Sequence, residues 1–119
     1  MRVAILGASN KPERYSYKAL ESLLRHGHEV VPVHPALETI NGVSVVSDLD
    51  SISGAIDTLT LYVGPEISSK QKEKIVRLKP RRVIFNPGTE NPSLEQELGI
   101  SGIQTQQACT LVLLGTNQF

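Results

Sequence analysis

One cysteine in 119 residues leaves Cys109 without a partner, so no internal disulfide can hold this chain together. The cytoplasm, where thiols stay reduced, is therefore the expected compartment. Net charge is missing too, since twelve Lys and Arg stand against twelve Asp and Glu. That balance removes the positive field a nucleic-acid coat or an anionic membrane would require. No apolar run comes near the roughly 18–20 residues that cross a bilayer, and no charged segment followed by a long apolar stretch precedes the first strand-like run. Internal repeats and low-complexity segments are also lacking. What is present is 39% hydrophobic and 20% charged residues, the apolar ones gathered in short runs, a composition that folds. One core of roughly 100–150 residues uses the whole length, so residues 1–119 read as a single domain.

Met1 to Leu6 (MRVAIL) is a short apolar run ending at Gly7, the pattern of a buried central strand. Tyr17, Leu20, Leu23 and Leu24 then recur three and four apart until Gly27, which predicts an amphipathic helix. Glu29 to Val33 (EVVPV) is β-branched again, with Pro32 near the end of a second strand, and the three elements form a right-handed parallel unit. His34 to Ser47 reads as a turn-rich link with at most one short strand near Val43, Val45 and Val46. Asp57 to Val63 (DTLTLYV) predicts a strand, and Pro65-Glu66 opens a helix that Ile67, Ile75 and Leu78 continue to Lys79-Pro80. Arg82 to Phe85 is the next strand, Asn91-Pro92 opens a helix through Leu98 that Gly99 closes, and Ile103 to Thr105 is the last strand. The alternation predicts an α/β fold, Rossmann-like and doubly wound, with a mainly parallel sheet of about five strands in one three-layer domain.

Ligands of open parallel sheets bind beyond the carboxyl ends of the strands. After the first strand come Gly7-Ala8-Ser9-Asn10-Lys11-Pro12. Gly7 permits a tight turn and close backbone approach, and Ala8 and Ser9 leave space for phosphate. Lys11 and Arg14 add charge to the partial positive charge and free N–H groups of the following helix, so a diphosphate is the natural guest. The fingerprint is incomplete for a dinucleotide: Ser9 replaces the second glycine, and no third glycine follows before the helix. Val33-His34-Pro35 ends the second strand, where NAD enzymes usually carry an acid for the ribose hydroxyls.

Gly7-Ala8-Ser9-Asn10-Lys11-Pro12-Glu13-Arg14, the helix with Ser16-Tyr17, and Val30-Val31-Pro32-Val33-His34-Pro35 together resemble the CoA-binding domain family. The likeness is to its small stand-alone bacterial members and to the N-terminal domain of the succinyl-CoA synthetase alpha subunit, from Val3 to about Cys109. It implies a Rossmann-like sheet that holds coenzyme A, with the phosphates on the glycine turn and the nucleotide end near the second-strand turn. Gly7, Ala8, Ser9, Asn10, Lys11, Arg14 and Ser16 are then candidate binding residues, with His34 and Pro35 at the second turn. Asn86 and Gly88, in Asn86-Pro87-Gly88-Thr89 at the end of another strand, would line the same cleft. The chain departs from the family pattern at His34, where Asn is usual, and at Ala36, where a lysine is common. It departs again at Val63-Gly64, where many small members carry an arginine, and after Cys109.

No catalytic constellation can be named, for neither a Gly-x-Ser-x-Gly elbow nor a Walker loop occurs. Cys109 would be a nucleophile only with a base and an electropositive pocket beside it. His26, His28 and His34 lack companions at metal-ligand spacing, so no metal site is expected. Asp48, Asp50 and Asp57 read as turn and helix-start residues. The expected function is binding of coenzyme A or an acyl-CoA without chemistry, with no nucleic acid and no membrane as partner. An NAD(P)-binding domain or sensor stays open, as does a ligand-free protein interaction domain using the basic run Lys70 to Arg82. A protein partner or a homodimer also stays open.

Overall fold

The computed structural model describes residues 1–119. Five parallel strands form the sheet: β1 (Arg2–Leu6), β2 (Glu29–Val33), β5 (Thr58–Leu61), β6 (Arg82–Phe85) and β7 (Gln104–Gln107). Their spatial order is β2-β1-β5-β6-β7, so the chain winds outward from β1 in both directions and the order reverses between β1 and β5. The doubly wound parallel sheet expected from the alternation is the fold observed. Helices α1 (Tyr15–Arg25), α2 (Pro65–Ser69), α3 (Lys72–Leu78), α4 (Pro92–Ile100) and α5 (Thr110–Gly115) cover it.

Alternate residues of each strand serve opposite faces. Ala4 and Leu6 join Leu59, Leu61, Val83 and Phe85 beneath α3 and α4, which contribute Ile75, Leu94 and Leu98. Val3 and Ile5 meet Leu20 and Leu23 of α1 and Leu114 of α5 on the other side. Under α5 the second face turns polar. Thr60 Oγ1 lies 2.8 Å from Thr110 Oγ1, and both residues are fully buried.

Several boundaries differ from the sequence expectation, each for a visible reason. The Asn41-Gly42 turn closes a small antiparallel hairpin, β3 (Thr39–Ile40) with β4 (Val43–Ser44), in place of at most one strand. Both turn residues have positive φ, +50° and +77°, which matches the twist of a two-residue hairpin. The helix expected from Pro65 to Leu78 is split into α2 and α3, because Asn91 Nδ2 donates to Pro65 O (3.3 Å), Ser68 Oγ (3.0 Å) and Ser69 Oγ (2.9 Å) and holds α2 at that point. Gly99 does not stop α4, which runs on to Ile100. The left-handed glycine is Gly102 (φ +84°), after which the Ile103 N–H donates back to Leu98 O at 3.0 Å. The last strand accordingly starts at Gln104, and α5 follows it where no helix was expected.

The acids read as turn residues have a second role. Asp48 does cap a 3-10 turn at Leu49–Ser51, but it also accepts from Lys74 Nζ at 2.7 Å. Asp50 pairs with Arg77 (2.8 Å), Asp57 with Arg81 (2.9 Å) and Glu97 with Lys72 (2.5 Å). Arg82 is buried, its guanidinium lying 4.5 Å from the Phe119 ring centroid. Four of the seven cations in the basic run are thus matched by acids from elsewhere in the chain. No helix is long and apolar enough to cross a membrane.

Candidate functional site

Between β1 and α1 the chain makes an open loop at the carboxyl edge of the sheet. Gly7 turns it with φ +88°, and a Cβ there would stand 2.8 Å from Val63 Cγ1 and 2.9 Å from the Tyr62 carbonyl oxygen, so this glycine packs against the end of β5. The Ala8 N–H donates to Val33 O (3.3 Å), which ties the loop to the end of β2. Ser9 Oγ accepts from the Lys11 N–H at 3.1 Å, a local serine turn that shapes the loop without any outside partner.

Helix α1 then begins with Arg14 as its N-cap, and no side chain accepts a hydrogen bond there. Its first turn holds no acid. The N–H groups of Tyr15, Ser16 and Tyr17 are therefore left without a capping side chain at the positive end of an 11-residue helix. Lys11 and Arg14 are exposed, and neither belongs to an ion pair. Ser16 is 5% exposed and makes no side-chain hydrogen bond within the protein. Tyr17 apart, these residues line one cavity of about 520 Å³, formed by Gly7 to Lys11, Arg14, Ser16 and His34, with Tyr15, Leu37 and Tyr62 completing its wall.

His34 is the pivot to a second cavity. Its Nδ1 accepts the backbone N–H groups of Ala36 (3.0 Å) and Leu37 (3.1 Å), which places the ring proton on Nε2. The second cavity, about 300 Å³, adjoins the first along Gly7 and His34 and continues over Pro35, Val63, Ile67 and Gln71. Asp48 also lines it. The end of β2 carries no acid of its own, as the sequence indicates, yet the fold brings one beside it. His34 donates its backbone N–H to Val46 O (3.0 Å), and Val46 donates to Pro32 O (3.0 Å), so Ser47 and Asp48 run along the end of the strand.

A third cavity of about 280 Å³ opens past Tyr15 and Tyr62 and is closed by Asn86, Pro87, Cys109 and Leu111. Asn86 is 2% exposed and its amide is committed: Nδ2 donates to Thr60 Oγ1 (2.6 Å) and Leu61 O (2.8 Å), while Oδ1 accepts the Thr110 N–H (2.9 Å) and so caps α5. Gly88 lines none of the three cavities, and its N–H donates to Glu90 Oε1 at 3.0 Å. Cys109 carries a free thiol facing an apolar wall with no Lys, Arg or His in it. Burial pushes the Tyr62 phenol up to about 12, out of range as a base near neutral pH. Tyr15, Leu37, Tyr62 and Asp48 were not candidates from the sequence. Tyr15, the first residue of α1, could have been suspected from its place after Arg14, whereas Tyr62 and Asp48 arrive through strand pairing.

Comparison with known proteins agrees with this architecture. A crystal structure of an uncharacterized protein superposes with a TM-score of 0.93 at 42% identity, covering 99% of this chain and 97% of that one. The uncharacterized protein YneT of Bacillus subtilis (strain 168) is 34% identical over 61 residues, 51% of this chain and 45% of its own length. The alpha subunit of the ADP-forming acetate–CoA ligase II of Pyrococcus furiosus is 33% identical over 70 residues, 58% of this chain but 15% of the subunit. The chain therefore matches less than half the length of either named relative. Residues 1–115 match the family model described as the CoA binding domain, and the chain belongs to that family.

Proposed function

We propose that this protein binds coenzyme A or an acyl-CoA and holds it without chemistry of its own. The observation that carries the reading is the uncapped N-terminus of α1, which opens with unpaired Lys11 and Arg14 and the unbonded Ser16 hydroxyl into one cavity. A diphosphate would accept the free N–H groups and balance both cations. The adenosine would lie toward His34 and Pro35, and the pantetheine arm would pass Tyr15 and Tyr62 toward the apolar cavity at Cys109. Nothing that faces a thioester there offers a nucleophile with its base, since neither the Cys109 thiol nor the Tyr62 phenol has a partner to take its proton.

The interaction-domain reading loses its main support, because Lys72, Lys74, Arg77 and Arg81 are each paired with an acid of the same chain. Calorimetric titration with coenzyme A tests the proposal. Lys11→Ala combined with Arg14→Ala should weaken binding at least about tenfold in low salt and less in high salt, as exposed charges do. Absence of binding by the parent protein, or an affinity untouched by the double substitution, would reject the site. An assay for thiol release from acetyl-CoA should show no turnover, and hydrolysis lost in Cys109→Ala would reject the non-catalytic part.

A further inference from the structure

We infer that the nucleotide end of this site recognises an adenosine ribose whose 3′-hydroxyl is free, with Asp48 as its acceptor, so that a 3′-phosphate adds no affinity and dephospho-CoA binds at least as well as CoA. This inference rests on the proposed CoA reading and goes beyond it by naming the form of the ribose.

The two adjoining cavities differ in charge. The larger one holds both unpaired cations, Lys11 and Arg14. The smaller one, where the nucleoside would lie, is lined by one carboxylate, Asp48, and by no Lys or Arg. The cation nearest that carboxylate is already engaged, Lys74 Nζ standing 2.7 Å from Asp48 Oδ1. The other oxygen, Oδ2, accepts the Asp50 N–H at 3.1 Å. Each carboxylate oxygen keeps a further lone pair, and the Asp48 side chain is 34% exposed, so a ligand can reach it.

A ribose hydroxyl donates well to such a carboxylate, which is how dinucleotide folds hold an unmodified ribose. A phosphate in the same place would set like charges face to face, with Lys74 as a shared counter-ion. The Lys74 hydrogen bond keeps the Asp48 carboxyl below the usual carboxylate range, so it is charged at neutral pH. In dinucleotide folds the acid ends the second strand itself. Here it is supplied thirteen to fifteen positions later, roughly, by the segment that pairs beside β2, which is why the strand-end residues Val33-His34-Pro35 give no sign of it.

The test is titration of the full chain with CoA, dephospho-CoA and NAD in one buffer, followed by Asp48→Asn and Lys74→Met. Asp48→Asn keeps an acceptor for the Asp50 N–H and releases Lys74. Dephospho-CoA binding as tightly as CoA or more tightly is expected, with NAD weaker than both. Asp48→Asn should move the ratio toward CoA by about fivefold or more, and Lys74→Met should move it the opposite way. CoA binding more than about threefold tighter than dephospho-CoA in the parent would overturn the inference while leaving the CoA reading intact. Ratios unchanged in both folded variants would remove Asp48 from the ribose site and also overturn it. Failure of both CoA forms to bind would reject the reading and the inference together, and NAD binding tightest would reject the CoA reading while favouring a free-ribose site.

Discussion

Two loops leave this sheet in the same way and end differently. After β1 and after β6 the chain turns through a glycine with φ +88° and enters a helix. In the second loop the helix start is capped from within the chain. The Gly88 N–H reaches Glu90 Oε1, the Thr89 N–H reaches Asn86 O, and Asn91 Oδ1 accepts from the Leu94 N–H to cap α4. In the first loop the helix has no capping side chain and no acid in its first turn, and two cations stand beside it unpaired. A missing N-cap costs about 0.5–2 kcal/mol. The protein leaves that stabilisation unrealised where a diphosphate could supply it and takes it at the start of α4, where Asn91 caps the helix. One sheet edge thus carries an open loop, the candidate site, beside a capped loop of similar shape.

The sharpest way to separate the loops is to place a Cβ on each glycine. Gly7→Ala meets Val63 Cγ1 at 2.8 Å and the Tyr62 carbonyl at 2.9 Å besides adopting a left-handed φ, whereas Gly88→Ala meets nothing within 4 Å. Denaturant unfolding should show a loss of about 3–5 kcal/mol for Gly7→Ala and of about 1 kcal/mol for Gly88→Ala. Equal losses would mean that the loops differ in chemistry but not in packing. The same geometry means that any side chain placed at position 7 reports on folding before it reports on binding.

Next in size is Asn86, whose amide joins β5, β6 and α5 through three buried hydrogen bonds. Asn86→Ala should cost about 2–4 kcal/mol, because the Thr110 N–H is left buried without an acceptor. A thermal melt within experimental error of the parent would show that α5 does not depend on this cap.

The comparison can also be reversed. Arg14→Asp gives α1 the capping carboxylate it lacks, so the free protein should gain about 0.5–2 kcal/mol while CoA affinity drops more than tenfold. Asn91→Ala removes the cap from α4 and its hold on α2, and should cost about 1–2 kcal/mol with little change in affinity. Unfolding curves and titrations on the same two variants check all four expectations. A single variant that moved stability and affinity in the same direction in both loops would break the contrast.

Legibility in the sequence followed the range of the interactions. Four of the five strands were readable because apolar and β-branched runs are local, and α1 because Tyr17, Leu20, Leu23 and Leu24 mark one face, whereas β7, Gln-Thr-Gln-Gln, was caught only at its start from Ile103 and Thr105. The loop Gly7 to Arg14 was readable for the same reason. Helix α5 was not, since Thr-Leu-Val-Leu-Leu-Gly has no amphipathic period and its capping acceptor, Asn86 Oδ1, lies far away along the chain. The break between α2 and α3 depends on Asn91, and the quieting of the basic run depends on Asp48, Asp50, Asp57 and Glu97. Tyr62 and Asp48 enter the site through register, because β5 pairs with β1 and Val46 pairs with the end of β2.

The smallest expected effect concerns the side of the molecule where charges are matched. Hydrogen bonds from Lys74 and Arg81 hold the Asp48 and Asp57 carboxyls below the usual carboxylate range. A carboxyl whose pKa is lower in the folded chain than in the unfolded one stabilises the fold above the ordinary value near 4, and the contribution fades as pH falls through the folded-state value. Stability should therefore be flat in this respect from about pH 5 upward and should decline below about pH 4. The Asp57–Arg81 pair is partly exposed, 29% and 53%, so solvent limits its share to about 1 kcal/mol or less. Asp57→Asn should accordingly lower stability slightly at pH 7, and the difference should shrink as pH falls through the range in which the parent carboxyl takes up its proton. Lys11→Ala, which has no acid to lose, should leave the same pH curve of the free protein unchanged. An equal response to the two substitutions would show that the cations at the α1 loop are matched after all, and that the first loop is not the open one.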